Sequence, residues 1–476
     1  GPIIKDHLFF YGFYQASDYN AADTSLTANA NTSITIRNAQ GAITGVQAIA
    51  PFSTGGFRSL YRLNSPSYGG KIDAVIMDGQ RLEFTYFNTK DRGITTQYNV
   101  VDAQGGGYDS RVDPAGPKTG SFAGRTINLG GGESYVGRYT GQFTNWLTLS
   151  GAYGKTKSRD IGLPADTINP GVSDTSGQFS PALIGNPATS ITNNTDQREF
   201  YRADADIYVQ LLGNHHFRGG YDRENLTSVA QTNYTGNIFW TYLNSGPTGD
   251  ARQSIPNRTY VSGRSYTTGG TFTSRNEAFY VQDAWSLLNN RLNLNIGVRN
   301  DRFENNNVAG QLYYKSGNQW APRISASFDP IGDQRTKIYG FFGRYYLPVP
   351  TNTNIRLAGA ELDYTGYYNI TGVQSNNAPI LGTPITFAGG VPCPGPIPGA
   401  TGTATNCEVN QDGTPASTES TVARNLKSQS MDEYVVGYEQ RLGQRWKVGA
   451  FGVYRKLNQS LEDIAIDAAV NNYCAA

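Results

Sequence analysis

Residues 277–302 read EAFYVQDAWSLLNNRLNLNIGVRNDR, and the fold turns on what this stretch faces. From Arg291 it alternates almost without error. Leu292, Leu294, Ile296 and Val298 share one parity, while Arg291, Asn293, Asn295, Arg299 and Asp301 share the other. Successive strand side chains point to opposite faces, so this is a ribbon with one apolar and one wet face. Upstream, Phe279, Val281, Trp285 and Leu287 alternate with Tyr280, Gln282 and Ser286, and Asp283 interrupts the apolar set. Residues 288–290 between the two runs are short and turn-like, which predicts an antiparallel hairpin.

Composition narrows what the apolar face can meet. The 476-residue chain holds 56 Gly, 31 Tyr and 21 Phe but only two Met. Its mean hydropathy is −0.46. No apolar run approaches the roughly 18–20 residues of a spanning helix. A transmembrane β-barrel stays open, because lipid-facing and lumen-facing residues alternate and cancel in any average. Tyr, Thr, Phe, Val and Gly dominate the periodic segments, so the chain reads as all-β. The net charge is +1, without a dense Lys/Arg block, so a nucleic-acid partner has no electrostatic footprint.

Pairing the periodic runs predicts about thirteen strands of roughly 10–15 residues, joined alternately by short turns and long loops. The short turns include Asp78-Gly79, and the longest loop covers residues 347–427. All short turns fall on one side of the succession and all long loops on the other. That is the pattern of an outer-membrane barrel with short periplasmic turns and long extracellular loops. A propeller would need a constant repeat period, which is absent. The apolar parity of residues 292–298 is therefore expected to face lipid.

Several segments resemble one family. The opening Gly1-Pro2-Ile3-Ile4-Lys5-Asp6-His7-Leu8-Phe9-Phe10 is similar to the segment that opens the barrel of Oar-like TonB-dependent receptors. Phe279-Tyr280-Val281-Gln282-Asp283-Ala284-Trp285, followed by Leu292-Asn293-Leu294-Asn295-Ile296-Gly297-Val298-Arg299, resembles a hairpin common across TonB-dependent receptors. Pro322-Arg323-Ile324-Ser325 and the run from Met431-Asp432-Glu433-Tyr434 to Val453-Tyr454-Arg455 also resemble the Oar-like group. The resemblance covers most strands but not the loops. It implies a transporter in the outer membrane of a Gram-negative bacterium, with a barrel of about 22 strands around a plug. It also implies energy from the inner-membrane TonB system. On this reading residues 1–476 are an incomplete barrel domain, the plug and the TonB-contacting segment being expected before residue 1 and the closing strands after residue 476.

The residues themselves offer four candidate sets. Arg202, Asp204, Asp206, Arg291, Arg299, Asp301, Glu433 and Glu439 lie on polar parities and are expected to face the lumen. There they would line a transport path, grip a plug or simply wet the wall. The loop segments 234–242 (YTGNIFWTY) and 364–368 (YTGYY) concentrate aromatics. Tyr234, Phe239, Trp240, Tyr242, Tyr364, Tyr367 and Tyr368 are candidate contacts for a ligand, with an interfacial girdle or packing inside a folded loop as the alternative. Tyr11, Tyr14, Tyr86, Tyr153, Tyr345, Tyr346 and Tyr454, near strand ends, suit an interfacial girdle. Cys393 and Cys407 bracket a Pro/Gly-rich loop and form a candidate disulfide, with two free thiols as the alternative, leaving Cys474 over. His215-His216 are adjacent and point to opposite faces of a strand, which argues against a shared metal. No cofactor or catalytic set is expected, since no GxSxG, HExxH or phosphate-binding motif sits on its scaffold. The alternative to a transporter is an outer-membrane surface or adhesion protein whose loops bind a partner. The identity of the extracellular ligand is not legible in the loops.

Overall fold

The computed structural model describes residues 1–476 except 29–32, 38–42, 49–52, 114, 180–183, 402–405, 416, 424, 463–472 and 475–476. Its centrepiece is a continuous antiparallel wall. The strands, in order, are β1 (Leu8–Gln15), β2 (Ser67–Met77), β3 (Gln80–Asn88), β4 (Gly132–Gln142) and β5 (Leu147–Pro164). They continue as β6 (Ser190–Gln210), β7 (Asn214–Tyr234), β8 (Thr259–Leu287) and β9 (Leu292–Asn306). The last four are β10 (Gln319–Phe328), β11 (Thr336–Leu347), β12 (Gln429–Leu442) and β13 (Trp446–Gln459). Each of the thirteen pairs with the next. The count and the one-sided distribution of short turns match the sequence reading. Among the described residues β13 pairs only with β12.

The hairpin of residues 277–302 forms as expected, with Leu287 opposite Leu292. Its turn is tight because Leu288, Asn289 and Asn290 all take left-handed φ angles, of 51°, 55° and 66°. Asparagine tolerates that region better than most residues. One register rank shows the wall's logic: Ile296, Ile324, Phe342, Tyr434 and Tyr454 are successive cross-strand partners. All share the apolar parity, and none belongs to a buried cluster. An apolar face left open over so many strands is stable only against lipid, where the ladders between neighbouring strands satisfy the backbone polar groups that they pair. The wall is a transmembrane β-barrel wall, and this face meets the bilayer.

Asp283, the interruption noted above, now has an explanation. On the apolar parity, it accepts from Nδ1 of His215 at 2.7 Å, and that ring stacks on Phe217 and Trp285 at 5.2 and 4.8 Å. His216 points to the other face, where its Nε2 lies 2.7 Å from Asp206. Each histidine therefore has its own carboxylate.

The strands depart from the expected 10–15 residues. β6 and β7 have 21 residues each and β8 has 29. A tilted crossing needs only about 9–11, so their outer halves rise beyond the membrane and serve as scaffolds. The loops on that side are folded too. The hairpin Asp18–Ala28 with Ser53–Asn64 pairs onto Arg92–Val101, which pairs with Lys118–Leu129, which reaches the top of β5. On the other flank the outer end of β8 organises a second, compact cap.

Candidate functional site

The cap is a small sheet grown from residues 259–267 of β8. One edge carries Phe239–Asn244, followed by the parallel strand Gly171–Asp174. The other carries Leu362–Val373, against which Pro379–Pro384 and Cys407–Asp412 pair. Alternation splits this sheet into two chemically opposite faces.

On one face Trp240, Tyr242, Val261, Tyr364 and Tyr368 meet Val172, Ile238, Ile397 and Cys407 in a buried core. Gly263 makes the closest packing possible, since a Cβ there would fall 2.4 Å from the Trp240 ring. The phenols are not orphaned: Tyr242 donates to the Asn377 carbonyl at 3.0 Å, and Tyr364 to that of Pro396 at 2.8 Å. Burial, with Asp174 adding to it, pushes the Tyr242 phenol up to about 12. A disulfide joins Cys393 to Cys407 and closes the chain over this core.

The opposite face is wet. Phe239, Thr241, Ser262, Arg264, Tyr367, Glu408 and Asn410 help line a cleft of about 630 Å³ that Tyr234 also borders. Arg264 clamps Asp363 through two hydrogen bonds, 2.7 and 2.8 Å, and Asn410 donates to the same carboxylate at 3.0 Å. The Arg264 guanidinium also lies 5.1 Å from the Tyr266 ring centre. Tyr234 packs against Phe239 and Tyr266 at 5.6 and 5.8 Å between ring centres. Glu408 accepts from Arg252 at 2.7 Å and from the Tyr367 hydroxyl at 2.8 Å. Those two bonds, Arg252 first, hold its carboxyl below the usual carboxylate range. Arg252 in turn sits over Phe387, 4.6 Å from the ring centre. Such a surface offers flat aromatic faces beside fixed donors and acceptors, the combination that orients a polar ligand.

Of the seven loop aromatics, then, Tyr234, Phe239 and Tyr367 line the cleft. Trp240, Tyr242, Tyr364 and Tyr368 are instead buried to within 4% and hold the cap together. The polar half of the cleft, Arg264, Glu408 and Asn410, and the Asp363 carboxylate that Arg264 and Asn410 hold, were not singled out in the sequence. Only parity along β8 and Leu362–Val373 would have found them.

The charges on the wall's polar parity form networks. Asp204 takes hydrogen bonds from Arg202 and Arg218, each 3.0 Å, and from the Tyr280 hydroxyl. Arg299 bridges Asp222 and Asp301, each 2.7 Å away. The group spans β6 to β9 and brings in Tyr280, which the sequence reading placed on the polar parity without a role, and Arg218 and Asp222, which it did not name. Glu433 pairs with Arg455 at 2.5 Å and Glu439 with Lys447 at 2.6 Å. Arg291 lies outside the strand, at the short turn, where it donates to the carbonyls of Asp329 and Pro330.

A family match and a curated relative agree with the architecture. Residues 302–452 match the family described as outer membrane beta barrel domain. Over 308 residues the chain is 30% identical to the TonB-dependent transporter Oar of Myxococcus xanthus, covering 60% of this chain and 27% of that protein. The chain thus spans about a quarter of that relative's length. Among solved structures, the outer membrane transporter YddB from Escherichia coli is 12% identical, with 95% of this chain and 60% of that chain covered and a TM-score of 0.38. The siderophore receptor PiuA from Acinetobacter baumannii is 11% identical, with 95% and 64% covered and a TM-score of 0.37. From the wall, the family match and the curated relative together, the chain carries a β-barrel of the Gram-negative outer membrane and resembles the Oar-like TonB-dependent receptors.

Proposed function

We propose that the protein is a TonB-dependent outer-membrane transporter, in which the extracellular cap captures a large substrate such as a peptide, glycan or siderophore. One observation carries this reading. Ser262 and Arg264 in the cleft have the same parity of β8 as Tyr280 and Gln282 in the wall, so the wet face of the cap continues the wet face of the barrel. A ligand seated on Tyr234, Phe239 and Tyr367 thereby lies at the head of a polar path. The network around Asp204 and Arg299 is that path's most charged stretch, and it offers hydrogen-bonding partners to a plug domain moved by the TonB system. Both the plug and TonB are partners of the proposal, drawn from the relatives.

The test is uptake. Cells lacking the gene are complemented with the wild-type chain in its full-length context or with an Arg264→Gln/Tyr367→Ala double variant. Uptake of labelled oligopeptides, oligosaccharides and ferric siderophores is then followed with and without a protonophore. The expected result is protonophore-sensitive uptake of one class, reduced on the order of tenfold by the double variant at equal surface level. Binding of a ligand at the surface with no uptake in any class would overturn the transporter and leave a surface or adhesion protein.

A further inference from the structure

The lipid-facing parity ends, toward the outer loops, in an aromatic girdle. Tyr135 touches Tyr153, Tyr153 touches Tyr201, and Tyr221 touches Phe279, with ring centres 6.4, 5.1 and 4.7 Å apart. Two residues further out on each of these strands, about 7 Å along the chain, stands a charge. Glu133, Lys155, Glu199, Arg223 and Glu277 occupy those positions on β4 to β8, and their signs alternate strand by strand. Neighbours therefore compensate, as with Lys155 and Glu199 at 2.7 Å.

Compensation fails at β8 and β9. Arg275, Arg302 and Lys315 line a cleft of about 380 Å³ there with only Glu277 and Glu304, three cations against two carboxylates, and Glu277 also lies 3.8 Å from Arg223. Glu304 is shared, 2.5 Å from Arg275 and 2.6 Å from Lys315. Arg302 is oriented by amide oxygens, Asn318 at 2.8 Å and Asn300 at 3.2 Å, and rests 5.8 Å from the Phe279 ring centre. Among the described residues no carboxylate lies within ion-pair distance of it.

We propose that this cleft binds a phosphate of the phosphorylated glycolipid headgroups in the outer leaflet. Three features select that occupant. The cleft opens on the lipid-facing side of the wall, not toward the lumen. It lies just beyond the girdle, at the depth of headgroups rather than of acyl chains. Its surplus charge is mostly guanidinium, whose planar donors suit phosphate oxygens. The proposal rests on the outward orientation of the wall and is independent of transport.

The experiment titrates the detergent-solubilised chain with bis-phosphorylated lipid A and counts bound lipid by native mass spectrometry. Parallel titrations use dephosphorylated lipid A and phosphatidylglycerol. Arg275→Gln/Arg302→Gln/Lys315→Gln is expected to weaken lipid A binding on the order of tenfold or more, while binding of dephosphorylated lipid A is the same in both proteins. Folding of the variant is checked by its heat-modifiable gel migration. If the triple variant does not fold, Arg302→Gln alone is expected to weaken binding about threefold. Equal lipid A affinity in wild type and folded variant would overturn the site. Equal affinity of the wild type for lipid A and for phosphatidylglycerol would overturn its assignment to the glycolipid.

Discussion

Val261 and Val281 stand twenty positions apart on one unbroken strand and share its parity, yet Val261 is 0% exposed and Val281 is 53% exposed. The first lies in the cap, under a loop closed by a disulfide; the second lies in the wall and looks at lipid. In the cap the apolar parity is buried by the chain's own loops, so it behaves like the core of a small soluble domain. In the wall the same parity is left for the membrane to cover. Alternation therefore specifies which residues share a face, and the connections decide what solvent that face receives.

The comparison breaks first if the cap is not an independent core. Trp240→Ala removes the largest ring from it and is expected to cost about 3–5 kcal/mol of cap stability. Hydrogen exchange should accelerate across residues 239–244 and 362–373 while the wall keeps its heat-modifiable gel migration. Simultaneous loss of wall and cap would mean that they are one cooperative unit.

The wall can be tested by a pair of neighbours. Ile324 is on the lipid-facing parity and Ser325 is on the other, opposite Asn295 and Phe341. Ile324→Arg should cost about 2–4 kcal/mol in denaturant titrations in lipid vesicles, whereas Ser325→Arg should cost under about 1 kcal/mol. Equal costs would contradict the assignment of faces. Next in size is the closure of the cap. Cys393→Ser/Cys407→Ser opens a loop of 14-residue separation and should lower cap stability by roughly 2–3 kcal/mol, with the wall unchanged in the same titration.

The wall was legible in the sequence because both of its signals are local. Parity is readable within a run such as residues 292–298, and each short turn lies between two such runs. The thirteen strands and the lipid-facing side follow from those signals. The cap was not legible, and the reason is sequence distance. Trp240 and Tyr364 share a core although they lie in different loops, and nothing in YTGNIFWTY or YTGYY alone says which aromatics turn inward. The outer hairpin of Asp18–Ala28 and Ser53–Asn64 was hidden similarly, because its polar, glycine-bearing sequence alternates weakly and is held by Arg92–Val101. The cleft's charged half depends on the same long-range pairings: Arg264 meets Asp363 only after β8 and Leu362–Val373 are in register.

The smallest expected effect concerns acid, and it separates the two regions by location rather than size. Glu408 belongs to the cap's wet face, where Arg252 and then Tyr367 lower its carboxyl from the ordinary value of 4.5. A carboxylate held lower in the folded state stabilises it above the unfolded-state value, and that contribution disappears as pH falls through the folded-state value. Cap stability followed by hydrogen exchange or proteolysis should therefore be flat in this respect from neutral pH to about 5, then decline with further acidification. Glu408→Gln should remove that part of the decline and leave the neutral-pH order of wall and cap as it was. Because the Glu408 side chain is 43% exposed, solvent screening keeps the slope shallow. An unchanged acid profile in Glu408→Gln would mean that the Arg252 pair orients the cleft without stabilising the cap.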